Sequence, residues 1–173
     1  MNVCAECRLP MDREHEDERC GACVALAGRD LDISVAPLER TDLELVLAWR
    51  SNTEVYRHFR DQDAPLEWED HVEWFESRDV RRHDFVISYD ERRVGVVSLD
   101  DDDAVSVYLG DVSARGQGVA TNAVRWLCDR FADRAPLFAD VHADNDASKR
   151  LFEHCGFERK KQTGDWIRYV YES

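Results

Sequence analysis

Along the chain, short stretches with a two-residue hydrophobic period alternate with longer ones of period three to four, and the changes of period mark the elements. Residues 33–35 predict a short strand. Thr41 and Glu44 then form a capping box for a helix carrying Leu43, Val46, Leu47 and Trp49. Pro65 opens a second helix over LEWEDHVEWFESR, where Trp68, Val72 and Phe75 share one face and read as core. Two strands follow, DFVISY and RVGVVSL, joined by Asp90-Glu91-Arg92, and AVSVYLG continues the series. A helix over 118–134 stops before Pro136, and LFADV reads as the next strand. Asn145 or Asp144 caps a helix running to His154, with Gly156 at its C-terminal end. Strands around FERKK and WIRYVYE flank the turn Gln162-Thr163-Gly164-Asp165. This order predicts an α+β (mixed α/β) fold, with a central, mostly antiparallel sheet flanked by helices.

Residues 1–30 lack that regularity and hold four of the six cysteines, as Cys4-Ala-Glu-Cys7 and Cys20-Gly-Ala-Cys23. Two such pairs can present four thiolates tetrahedrally to one structural Zn2+, leaving no open position for a catalytic water. Two disulfides or a redox pair are the alternatives, disfavoured by a reducing compartment and by the doubled motif. The expected organisation is therefore a small zinc-ribbon-like module over 1–30 and a main domain over 31–173. His15, between the pairs, reads as exposed rather than as a ligand. Cys128 and Cys155 read as small buried apolar residues.

A length of 173 residues suits one ordinary domain plus a small appendage. No apolar run is long enough to cross a bilayer and no signal-peptide pattern opens the sequence, so a cytoplasmic protein without a membrane partner is expected. The charge alters the picture more. With 37 acidic and 23 basic residues the formal net charge is -14, and Lys149, Lys160 and Lys161 are the only lysines. Such a surface repels phosphate backbones, which argues against a nucleic-acid partner. The excess of Asp suggests adaptation to a salty cytoplasm, where screening relieves self-repulsion. Asp100 to Asp103 reads as a loop between strands.

The stretch DVSARGQGVATNAVRWL carries the candidate chemistry. A strand ending near Leu109, then Arg115-Gly116-Gln117-Gly118, then a helix, exposes consecutive backbone N–H groups at the positive end of a helix dipole. Glycines let that backbone close on a ligand, and the arrangement suits an anion such as phosphate. GxxxxGK[ST] is absent, and GxGxxG breaks at Thr121, so neither a nucleotide P-loop nor a dinucleotide fold is indicated. A tight strand-to-helix turn without a ligand is the alternative.

Arg115-Gly116-Gln117-Gly118-Val119-Ala120 matches the [QR]xxGx[GA] signature of the GNAT acetyltransferases, and VHADNDASKRLFEHCGFE resembles that family's following strand and helix. The resemblance covers roughly residues 33 to 172. It implies acetyl-CoA as co-substrate, with its pyrophosphate on the amides of Arg115, Gly116, Gln117, Gly118, Val119 and Ala120. It also implies that the pantetheine arm lies along AVSVYLG, that the Leu109 N–H faces the thioester oxygen, and that Asn145 and Ser148 contact the coenzyme. The family often carries a tyrosine that protonates the leaving thiolate where this chain has Phe152. His142 is the candidate general base, and Tyr108 or Ser106 could instead orient a water.

By the same resemblance the first two helices form the acceptor side. They are similar to those of N-acetyltransferases acting on a nucleotide-linked amino sugar in the pseudaminic acid pathway, and less closely to acetyltransferases of ribosomal-protein N-termini. A UDP-aminosugar would meet Arg50, Arg57, His58 and Trp74 by charge and stacking; core packing of the aromatics, or pairing of Arg50 with a neighbouring acid, is the alternative. The expected partner is a small-molecule amine, and the expected state a monomer or homodimer. A protein N-terminal acceptor, or a non-catalytic zinc-ribbon scaffold that binds acetyl-CoA, are the competing functions.

Overall fold

The computed structural model describes residues 2–11, 18–28 and 31–173; His15 and part of the expected boundary near residue 30 lie outside them. Four antiparallel strands form one sheet in sequence order: β1 (Ile33–Pro37), β2 (His83–Tyr89), β3 (Arg92–Leu99) and β4 (Val105–Leu109). The β2–β3 connection is tighter than the three-residue linker expected, since Arg92 already pairs with Tyr89. Asp90 and Glu91 take φ values of 49° and 64°, the left-handed turn whose twist matches a hairpin. Pairing shifts from Ile87↔Gly95 to Ser88↔Arg93, and the extra residue, Val94, is thereby turned into the same core as Val97.

Helices cover both faces of this sheet. On one lies α5 (Val119–Arg130), with Ala123, Trp126 and Leu127 buried; the Trp126 ring meets Phe85 edge-on at 4.8 Å. On the other, Leu43, Val46 and Trp49 of α2 (Leu43–Arg50) pack on Val86 and Val96, together with α4 (Trp68–Glu76). Burial on both sides explains why β2 and β3 read as nearly unbroken apolar runs instead of alternating.

A second antiparallel sheet has the order β5–β7–β6, with β5 (Leu137–His142), β6 (Glu158–Thr163) and β7 (Trp166–Tyr171). Between β5 and β6 runs α6 (Asp146–His154), capped by Asn145, whose Oδ1 accepts the Ser148 N–H at 3.2 Å. The two sheets meet where Ala104 and Phe138 form a parallel bridge and the Phe138 N–H donates to Asp103 O at 2.9 Å.

Local expectations needed correction at several places. The box that starts the first main-domain helix is made by Glu39 and Asp42 around a 3-10 turn, not by Thr41 and Glu44: Asp42 Oδ2 accepts the Glu39 N–H at 2.9 Å. A short helix, α3 (Thr53–Tyr56), capped by Asn52, was not foreseen. The glycine-turn helix ends at Arg130 rather than 134, and a 3-10 turn takes the chain to the cis Ala135–Pro136 bond. In α4 the buried position is His71, at 2% exposure, while Trp68 is 39% exposed. The face directed at α2 runs through His71, whose Nε2 lies 3.2 Å from Leu43 O.

At the N-terminus, a turn holds Cys4 to Cys7, and α1 (Gly21–Ala27) follows Cys20. All four cysteines are buried, and with Leu26 they belong to the same continuous core as α5.

Candidate active site

Beyond the Ala104–Phe138 bridge, β4 and β5 run in the same direction without a shared ladder, and the gap between them opens into a cleft of ≈ 810 Å³. One side is lined by Leu109, Arg115, Gly116, Gly118, Val119, Ala120, Asn145, Ser148 and Phe152; the other by Arg50, His58, Phe59, Trp74, Asp84, His142 and Trp166, with Ser106 and Tyr108 along β4. Every cleft residue anticipated from the sequence is thus brought together, with one exception. The Gln117 side chain is held inside its own loop, donating to Ser113 O at 2.8 Å and accepting from Tyr89 Oη at 2.7 Å.

The glycine turn owes its residues to backbone conformation rather than to crowding. Gly116 and Gly118 have φ of 75° and 81°, yet a Cβ on Gly116 would meet nothing within 4 Å. In α5 the first turn carries no acidic side chain, and the Asn122 N–H bonds to Gly118 O at 3.0 Å. The amides of residues 118–121 stand where a helix leaves its donors unpaired, at the positive end of the dipole, whereas the Arg115 N–H, expected among the anion-binding amides, already donates to Val112 O at 3.2 Å. Arg115 reaches across to Glu54 O of α3 at 3.2 Å, linking this loop to the opposite side of the cleft. Gly110 has a different reason: a Cβ there would fall 2.0 Å from the Trp49 ring, so β4 can end against α2 only without a side chain.

On the far side, Arg50 is engaged by protein, as one of the readings from sequence anticipated, though by an amide rather than an acid. Its Nε donates to Gln62 Oε1 at 3.1 Å, and Gln62 Nε2 donates back to Arg50 O at 2.6 Å. Trp74 stacks on His71 at 5.7 Å with nearly parallel rings, and Arg82 lies 5.3 Å from its centroid. Asp84 is the buried charge of this side: it accepts from Arg78 at 2.9 Å, from Arg82 at 3.0 Å and from Ser98 at 2.5 Å. Burial works to raise its pKa, but the hydrogen bonds from Arg82, Ser98 and Arg78 outweigh that and hold it below the ordinary carboxylate value. Burial pushes the Tyr108 phenol well above its usual range, so it serves as a neutral hydroxyl.

His142 ends β5 with its ring stacked on His58 at 5.5 Å and edge-on to Trp166 at 5.3 Å. The backbone N–H of Asp144 donates to His142 Nδ1 at 3.1 Å. A neutral imidazole accepting at Nδ1 carries its proton on Nε2, so His142 can offer a donor from Nε2 but no free lone pair there. That geometry argues against the general-base role expected of His142. Reasoning from sequence also missed Phe59, Asp84 and Trp166. Asp84 left a signal, a carboxylate heading the apolar run of β2; Phe59 and Trp166 left none.

The cysteines form a separate centre. Their sulfurs all lie within 4.8 Å of one another, with Cys7 and Cys20 at 3.8 Å. Thiolates ~2.3 Å from a tetrahedral zinc stand ~3.8 Å apart, so the cluster has the dimensions of such a site. Cys4, Cys7, Cys20 and Cys23 are buried together as one group rather than as two separated pairs. Two N–H groups point at sulfur: Cys20 N to Cys4 at 3.2 Å and Trp126 Nε1 to Cys23 at 3.3 Å. Such donors suit thiolates.

A profile of the acetyltransferase (GNAT) domain matches residues 33–158. An uncharacterized protein of Methanocaldococcus jannaschii is 32% identical over 157 residues, 84% of this chain. The chain spans about a third of that relative's length, 32%. Among solved structures, a domain from the same organism is 28% identical with a TM-score of 0.78, covering 83% of this chain and 100% of that one. An aminoglycoside acetyltransferase in complex with coenzyme A is 15% identical, with a TM-score of 0.70 and coverage of 82% and 95%; that likeness is one of fold.

Proposed function

The chain belongs to the acetyltransferase (GNAT) domain family, and from that premise we propose that it transfers the acetyl group of acetyl-CoA to a primary amine by direct attack. The observation that carries this is the opening between β4 and β5 directly beside the two-glycine turn of α5. A coenzyme laid there has its diphosphate on the amides of residues 116–120, the Arg115 N–H being held by Val112 O, and its pantetheine along the free edge of β4. Its thioester then lies near the Leu109 N–H, which stabilises the negative charge developing on the carbonyl oxygen. Asn145 and Ser148 border the same groove, although their mutual hydrogen bond already serves the helix cap. Phe152 stands where a tyrosine would protonate the leaving thiolate; with a thiol pKa of ~8.5 the sulfur can depart as the anion.

The acceptor is a small-molecule amine. Arg50, His58 and Trp74 border its side of the cleft, and a nucleotide-linked amino sugar fits the combination of guanidinium groups and aromatic faces. The aminoglycoside enzyme of similar fold acts on a small-molecule amine, consistent with that class. We further propose that Cys4, Cys7, Cys20 and Cys23 of the 1–30 module hold one structural Zn2+, which would supply a tetrahedral cross-link and no chemistry.

Calorimetry with acetyl-CoA, followed by thiol release with a UDP-4-amino sugar, kanamycin and an N-terminal peptide as acceptors, tests both parts. Saturable binding with turnover of the sugar is expected. Turnover of the peptide alone would move the acceptor to proteins, and binding with no turnover would favour a scaffold.

A further inference from the structure

An amine acceptor enters as an ammonium ion and has no nucleophilic lone pair until a base takes a proton. His142 is unsuited to that task, because the Asp144 N–H occupies its Nδ1 and leaves the proton on Nε2. The residue stacked upon it is differently placed. His58 lines the cleft and contacts the His142 ring, and the next residue, Phe59, packs on the Tyr108 ring at 5.4 Å. Counted from the Ala104–Phe138 bridge, Tyr108 and His142 each lie four residues along their parallel strands, at the same height of the opening. His58 and Phe59 therefore span the two strands at the level where β4 ends in Leu109. Among the described residues, no protein group hydrogen-bonds either ring nitrogen of His58.

Building on the acetyltransferase reading, we infer that His58 is the general base that accepts a proton from the acceptor ammonium. The ammonium gives one proton to a ring nitrogen of His58, and the freed lone pair forms the C–N bond to the acetyl carbon. The C–S bond then breaks, and the sulfur leaves with the electron pair. Of the nitrogen's two remaining protons, one stays on the amide and the other goes to the departing thiolate, while His58 returns its own to solvent.

The surroundings favour a base that is neutral before the substrate arrives. Partial burial lowers the His58 pKa, and the charge of Arg57 and the stacked His142 act in the same direction, opposed by Asp144. Other charged groups lining the cleft include Glu54, which pairs with Arg57 at 3.9 Å, Arg60, Asp61, Asp140 and Arg150; Arg60 lies over Trp166 at 5.3 Å and reaches Asp140 at 3.7 Å, and Asp140 is also held by Arg168 at 2.8 Å. His142, stacked on His58 at 5.5 Å with its Nδ1 held by the Asp144 N–H, faces the acceptor with Nε2 and positions it.

The test is a nitrogen-15 NMR titration of the histidines in the full chain, with and without acetyl-CoA, joined to kinetics on the best acceptor of kanamycin, a UDP-4-amino sugar and an N-terminal peptide. His58 should be neutral at pH 7, titrating below the ordinary imidazole value of ~6.5, and His142 should hold its proton on Nε2. His58→Ala should lose about 100-fold or more in kcat, keep acetyl-CoA affinity within about twofold, and recover activity with added imidazole. His142→Asn should retain the acidic inflection of the pH profile. A His58 that is protonated at pH 7, or a His58→Ala variant within about tenfold of wild type, overturns the assignment. Should no acceptor turn over, the titration decides alone. Failure of the wild-type chain to bind acetyl-CoA would instead overturn the acetyltransferase reading.

Discussion

Trp126 Nε1 donates to Cys23 Sγ at 3.3 Å, so the helix that begins at the glycine turn ends its second turn on the cysteine cluster. Arg130, one turn further on, donates to Pro10 O at 2.5 Å. The proposed metal centre thus braces, from behind, the helix whose N-terminus forms the proposed diphosphate site.

Trp126→Phe keeps the buried ring and removes only the N–H. With a thiolate as acceptor this should cost about 1.5–3 kcal/mol and speed zinc release to a chelator. Metal analysis of the wild-type chain should give one zinc, and Cys23→Ser should lose it together with much of the acetyl-CoA affinity. A release rate unchanged by Trp126→Phe would mean that the helix does not support the metal.

Substituting valine for Gly116 and Gly118 should weaken acetyl-CoA binding far more than it disturbs the fold. A Cβ at either site makes no severe clash, so the cost is the left-handed backbone, roughly 1–2 kcal/mol per residue. Relief of that strain by a flipped turn would misdirect the amides. Calorimetry would report the loss, and intact affinity would remove the loop from the binding site.

Asp84 links acid stability to the acceptor side of the cleft. Its folded pKa lies below the unfolded value of ~3.9, so its contribution is complete above that pH and is lost as pH falls through the lower folded value. Asp84→Asn should destabilise by about 3–5 kcal/mol at neutral pH, since Arg78 and Arg82 lose their shared partner. The variant's stability should also fall less steeply than wild type below pH 4. Parallel acid-unfolding curves for the two proteins would contradict this account.

Raising KCl from low to molar concentration should raise the melting temperature, because a net charge of -14 repels itself and screening shortens the Debye length to ~3 Å at 1 M. A flat or falling response would show that local ion pairs, not net charge, dominate.

The sequence by itself determined the order of the strands and of the longer helices, though not the short helices α1 and α3, together with the two-glycine turn before α5 and the paired cysteines. All are short-range properties: hydrophobic period, a backbone angle that favours glycine, and ligand spacing within one turn. Element ends were less legible, as at Glu39–Asp42, because caps compete over one or two residues and local hydrogen bonds choose between them. Only the tertiary structure decided that Trp68 is exposed while His71 is buried, since neighbouring helices select which stripe of α4 is covered. It alone brought His58 against His142, 84 positions away in sequence, and Trp126 against Cys23. Such pairings follow from how β4 and β5 diverge and how α5 lies across the sheet, which depend on packing among segments distant along the chain.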